Sequence, residues 1–92
     1  MRVRYSPRAV IDLENIRLHI SMDNPPSAWV VASFIRHVVA RLVQWPRSGR
    51  MTDVSGVRRQ PIGHYPYVVY YQAKGDEIVS LSVLHSAQEK SY

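Results

Sequence analysis

Three side-chain types suited to acid–base work on a phosphodiester gather in the C-terminal half of the sequence. Arg58 and Arg59 are adjacent; His64 opens and His85 closes the stretch GHYPYVVYYQAKGDEIVSLSVLH; Tyr67 lies within it and Tyr92 ends the chain. Arginine can hold a phosphate, while histidine and tyrosine can pass protons between a 2′-hydroxyl and a leaving oxygen. Such a site needs the groups to converge. In an antiparallel hairpin the start of one strand lies beside the end of the next, so His64 and His85 are expected at one end of a sheet. Two features weigh against a pocket. Consecutive strand residues point to opposite faces, which separates Arg58 from Arg59. A histidine leaving a strand can equally be a hydrogen-bonded group at the edge of the core. Other chemistries lack their residues: there is no glycine-rich phosphate loop and no G-x-S-x-G elbow. Asp76 and Glu77 sit in a turn and read as solvated. His19, His37, His64 and His85 show no ligand spacing, so neither metal nor cofactor is expected.

The elements that must position these groups can be read from periodicity. Tyr65 to Gln72 alternates in strand-favouring types, Lys74-Gly75-Asp76 supplies a turn, and Val79, Leu81 and Val83 alternate with Ser80 and Ser82 on the return strand. Such a hairpin has one covered face. Upstream, Met1 to Tyr5 reads as a short strand with Val3 and Tyr5 on one side. Ser6 caps a helix whose first residue is Pro7 and which runs to about Ser21, with Ala9, Val10, Leu13, Ile16 and Ile20 as its buried stripe. Ile11, Leu18 and Met22 fall on its other side, to pack on a second helix or to stand open to a partner. Asn24 caps that second helix, which starts at Pro25 and runs to about Gln44, because Trp45 precedes Pro46. Val31, Phe34, Ile35, Val38, Val39 and Leu42 cover about half its circumference, more than the usual stripe of about 100°, so it should touch both the first helix and the sheet. Trp29 projects toward the polar side, as an interface anchor or, the preferred reading, folded back onto the preceding loop. PRSGRMT (46–52) is a basic loop, and Val57 to Ile62 a weaker strand that Pro61 marks as an edge. The order is β-α-α-β-β-β: an α+β two-layer fold, a helical hairpin on a mainly antiparallel four-stranded sheet.

At 92 residues the chain is expected to be one domain, 1–92. Twelve Lys+Arg against seven Asp+Glu give a formal charge of +5, which favours anionic partners or simply keeps the surface soluble. The absence of cysteine suits a cytoplasmic protein. Arg2 and Arg4 are followed by no apolar signal segment, and the longest apolar run, Ala28 to Ile35, is too short to span a bilayer, so no membrane role is expected.

The segments RVRYSPRAVIDLENI, NPPSAWVV, WPRSGR, GHYPYVVYY and LSVLHSAQE, in this order and spacing, resemble ParE toxins of the RelE/ParE superfamily over nearly the whole chain. The resemblance implies a bacterial type II toxin neutralised by a ParD-type antitoxin, and the same strand–helix–helix–three-strand fold. Two activities occur in that superfamily. RelE-like members cut mRNA on the ribosome with basic and acid–base groups; ParE-like members inhibit DNA gyrase by protein contact. The strand Tyr65 to Gln72 carries no Arg or Lys, and the tail after His85 only one Lys, which favours the ParE branch. On that branch there are no catalytic residues, and Arg58, Arg59 and His85 are expected to face the target. On the nuclease branch Arg58, His64, His85 and Tyr92 would be catalytic. A third possibility is a nucleic-acid-binding module that uses only its charge. An antitoxin tail that folds on binding is expected along the helical hairpin, on Ile11, Leu18, Met22 and Trp29.

Overall fold

The computed structural model describes residues 2–89. The elements are β1 (Arg2–Tyr5), α1 (Pro7–Ser21), α2 (Pro25–Arg41), β2 (Arg50–Met51), β3 (Arg58–Pro61), β4 (Tyr67–Lys74) and β5 (Glu77–His85), followed by a 3-10 turn, Ser86–Gln88. Both helices start as their caps dictate. Ser6 Oγ accepts from the Ala9 N–H at 3.1 Å and Asn24 Oδ1 from the Ser27 N–H at 3.2 Å, with Pro7 and Pro25 where a missing N–H leaves nothing unpaired. α2 ends at Arg41, three residues before the expected Gln44. From there the chain tightens into i→i−3 bonds, Leu42 to Val39, Val43 to Ala40 and Gln44 to Arg41.

The helical hairpin covers one face of the sheet, giving the expected α+β two-layer architecture, but the sheet has five strands rather than four. Their order is β1-β5-β4-β3-β2. The additional strand, β2, lies inside the basic loop and pairs with β3 through only Arg50↔Arg59 and Met51↔Arg58; two residues are too few to display alternation. Tyr71 holds this loop in place. Its hydroxyl donates to the Pro46 carbonyl at 2.7 Å and accepts from the Gly49 N–H at 3.0 Å. Gly49 is needed there, since a Cβ would stand 2.7 Å from the Tyr71 ring and 2.8 Å from the Arg59 carbonyl. All pairings are antiparallel except β1 with β5. In the β4–β5 turn Gly75 takes φ +61° at the first central position, as a II′ turn requires.

Between the layers, Leu13, Val31, Ile35, Val39 and Leu42 meet Ile62, Tyr67, Val69, Tyr71, Ile78 and Val83. Val10, expected in the buried stripe, is instead 54% exposed; it lines an open groove between the helices. The larger correction concerns β5. Tyr70 pairs with Ser82 and Tyr71 with Ser80, so Leu81 is an extra residue. This bulge shifts the alternation. Val83 enters the core between the layers, while Leu81 joins Val57, Val68, Tyr70 and Leu84 on the outer face. Val79, Leu81 and Val83 therefore do not share a face. Ser80 and Ser82 are not solvated either; both are fully buried, with no hydrogen-bond partner for the hydroxyls among the described residues.

The bulge is stitched to the β1–α1 junction. Ser6 donates from its backbone to the Ser80 carbonyl and from Oγ to the Leu81 carbonyl, each at 2.9 Å. Asp12 Oδ2, on α1, accepts from the Val83 N–H at 2.9 Å. Backbone groups on the edge of β5 where β1 ends are thus satisfied by Ser6 and by helix one.

Candidate functional site

Arg58 and Arg59 do diverge. Arg58 pairs in register with Tyr71 and Arg59 with Tyr70. Arg58 donates from Nη1 to the Gly49 carbonyl at 2.8 Å and the Arg47 carbonyl at 3.4 Å, which helps to hold the β2 loop. On the outer face Arg59 makes a two-pronged bond to Glu89, Nε to Oε2 at 2.6 Å and Nη2 to Oε1 at 2.8 Å, and the Tyr70 hydroxyl donates to the same carboxylate. Arg59 holds the Glu89 carboxyl below its usual range and is itself held more firmly protonated by Glu89. Burial, with Glu89 beside it, raises the Tyr70 phenol, so Tyr70 stays a donor.

The two histidines sit at the same end of the sheet, where the Ser86 N–H reaches the Pro66 carbonyl at 2.8 Å. Their rings have different surroundings. His64 is exposed and lies against Tyr65, with ring centroids 4.5 Å apart, and beyond it Phe34 at 6.3 Å. His85 pairs with Tyr67, edge to face at 5.5 Å, and its Nδ1 accepts from the Ala87 N–H at 3.0 Å, capping the 3-10 turn. With Nδ1 an acceptor, the ring proton belongs on Nε2. His85 opens into a recess between α1 and β5 that also holds Asp12, Asn15, His19 and Tyr67. No Arg or Lys lines it among the described residues, and burial raises the Tyr67 phenol above its ordinary value. Tyr92 lies outside the described residues. The structure therefore joins Arg59 to Tyr70 and Glu89, and His85 to Tyr67, but does not gather Arg58, His64 and His85 in one pocket.

On the helical layer, Ile11, Leu18 and Met22 are spaced by seven and four residues and form one stripe opposite the core, 59%, 49% and 82% exposed. Packing between the helices leaves this stripe largely uncovered. Trp29, 63% exposed, is not folded back on its loop. Its ring meets the Arg17 guanidinium at 4.9 Å, a cation–π contact that draws it across to α1. Between the helices lies a groove of Tyr5, Val10, Leu13, Trp29 and Ala32, with Arg17 and Arg36 on its walls. Burial raises the Tyr5 phenol at its floor and Arg36 partly offsets this.

Sequence reasoning missed Glu89, Tyr70, Asp12 and Arg17. Arg17 had a signal, since it falls on the flank of α1 nearest a following helix. Glu89 had none, because a turn after the last strand decides where it lands.

The family model described as ParE toxin of type II toxin-antitoxin system, parDE, matches residues 3–90. "Putative toxin Y4kP" of Sinorhizobium fredii is 31% identical over 88 residues, covering 96% of this chain and 91% of that protein. A solved structure described as the chromosomal ParDE TA system from P. aeruginosa superposes with a TM-score of 0.83 at 27% identity, over 92% of this chain and 95% of that one. The chain thus belongs to the ParE toxin family of type II toxin–antitoxin systems.

Proposed function

We propose that the chain, acting as one toxin domain in the cytoplasm, inhibits DNA gyrase by protein–protein contact and is neutralised by a ParD-type antitoxin. The observation that carries the binding mode is the recess of His85: no Arg or Lys lines it among the described residues. A phosphodiester entering there would meet no cationic clamp. Arg58, Arg59 and His85 are the groups offered to the target, as contacts rather than as catalysts. Support for an antitoxin comes from the P. aeruginosa neighbour, described as a ParDE system, and from the apolar stripe Ile11, Leu18 and Met22 with Trp29 beside it. Exposed apolar side chains in this number suit a segment that folds as it binds.

The test is a supercoiling assay with purified chain, gyrase and relaxed plasmid, with antitoxin added back. Blocked supercoiling or trapped cleaved DNA, reversed by antitoxin, is the expected result. An unaffected gyrase together with mRNA cut on programmed ribosomes, lost in His85→Ala, would replace this reading by the nuclease one.

A further inference from the structure

One cross-strand row on the outer face of the sheet runs Arg50, Arg59, Tyr70, Ser82. Residues directly opposite on antiparallel strands project to the same side with Cβ atoms about 5 Å apart, and like charges so placed repel. Two arginines are therefore cross-strand neighbours here, and one carboxylate, Glu89, is held on the row. It is bonded to Arg59 and Tyr70. Arg50 is exposed on the edge strand, and no carboxylate pairs with it among the described residues.

The way Glu89 is held describes what the row can bind. Two parallel N–H donors and a phenol hydroxyl converge on two oxygens of one oxyanion, an arrangement that suits phosphate as well as carboxylate. With Arg50 included, the row carries one more positive charge than Glu89 neutralises. The Arg59 side chain keeps 33% of its surface open to solvent, and the chain as a whole carries a formal +5, which steers polyanions toward it.

We propose that Arg50, Arg59 and Tyr70 form a site for a backbone phosphate of nucleic acid, and that Glu89 is a built-in competitor occupying it in the free chain. Binding exchanges one oxyanion for another at Arg59, with no covalent step. The apparent affinity is the intrinsic one reduced by the fraction of molecules whose site is clear of Glu89. This goes beyond the contact with gyrase and does not depend on it.

The experiment is fluorescence anisotropy of a short labelled single-stranded DNA oligonucleotide over a series of salt concentrations. Glu89→Gln keeps a neutral acceptor for Arg59, and an unchanged circular dichroism spectrum checks its fold. Glu14→Gln is the matched control: it adds the same net charge and releases Arg17, which Glu14 holds at 2.5 Å on α1. Glu89→Gln should bind more tightly than both the natural chain and Glu14→Gln. Its plot of log K against log salt should steepen by about 0.7 for one added phosphate contact. Adding Arg59→Ala should remove the gain, and Arg50→Ala alone, on an exposed residue, should weaken binding of the natural chain. The proposal is overturned if Glu89→Gln binds no better than Glu14→Gln, if its gain survives Arg59→Ala, or if Arg50→Ala changes nothing.

Discussion

Asp12 belongs to helix one, yet its partner is a backbone amide of the last strand. β1 pairs with β5 only as far as Ser80, so the Val83 N–H on that edge has no strand partner, and Asp12 Oδ2 takes it at 2.9 Å, with Arg8 3.8 Å away. Asp12→Ala leaves that donor partly buried and unpaired, which costs about 1–3 kcal/mol; Asp12→Asn keeps an acceptor and should cost less. Urea denaturation of both variants checks the order. Glu89 makes a pH-dependent contribution of definite sign. Arg59 depresses its folded-state pKa, so the stabilisation is present above the ordinary carboxylate value of roughly 4 and is lost as pH falls through the depressed folded value. Thermal melting of the natural chain should fall on acidification by more than that of Glu89→Gln over this window, and parallel curves would refute the assignment. At this scale, what the sequence made legible was whatever depends on immediate neighbours. Ser6 and Asn24 cap as their types predict, and strand alternation separates Arg58 from Arg59. Asp12 and Glu89 were illegible because each is defined by a partner that only the assembled sheet supplies.

Elements were legible in proportion to their length. α1 begins and ends where its cap and apolar spacing place it, and the β4–β5 turn falls on Gly75. β2 escaped notice at two residues. β5 was found as a strand and misread as a surface, because one extra residue reverses which side chains face inward and no local pattern announces it. The loop before β2 depends on a close approach, so Gly49→Ala must push against the Tyr71 ring and the β3 backbone. Forced overpacking of this kind costs about 1–3 kcal/mol, and the denaturation midpoint should drop while secondary structure is retained. The stripe on α1 carries a prediction about partnership instead. Leu18 is half exposed and is not part of the buried core. Leu18→Glu should therefore leave the melting temperature nearly unchanged but weaken antitoxin binding by about 2 kcal/mol or more, as burial of an unpaired charge does. Titration calorimetry giving wild-type affinity would remove the stripe from the interface.

The whole molecule is a helical hairpin laid on a twisted ribbon of strands whose first member sits beside its last. Arg2 is in register with Glu77 and Tyr5 with Ser80, the only parallel pair among the described strands. This has a consequence for the timing of manufacture. A ribosome releases β1 and α1 before β5, yet the neighbour of β1, the bulge that Ser6 and Asp12 stitch, and part of the wall that α1 leans on all arrive with β5. Contacts so distant along the chain form late and slowly. Until β5 clears the exit tunnel, the growing polypeptide has no finished shape with which to poison anything. A message interrupted just short of β5 should yield a chain that is degraded rather than one that is weakly toxic. The interval between the codons of β1 and those of β5 is then a grace period, set by strand order alone, in which the cell that makes this protein is exposed to none of it.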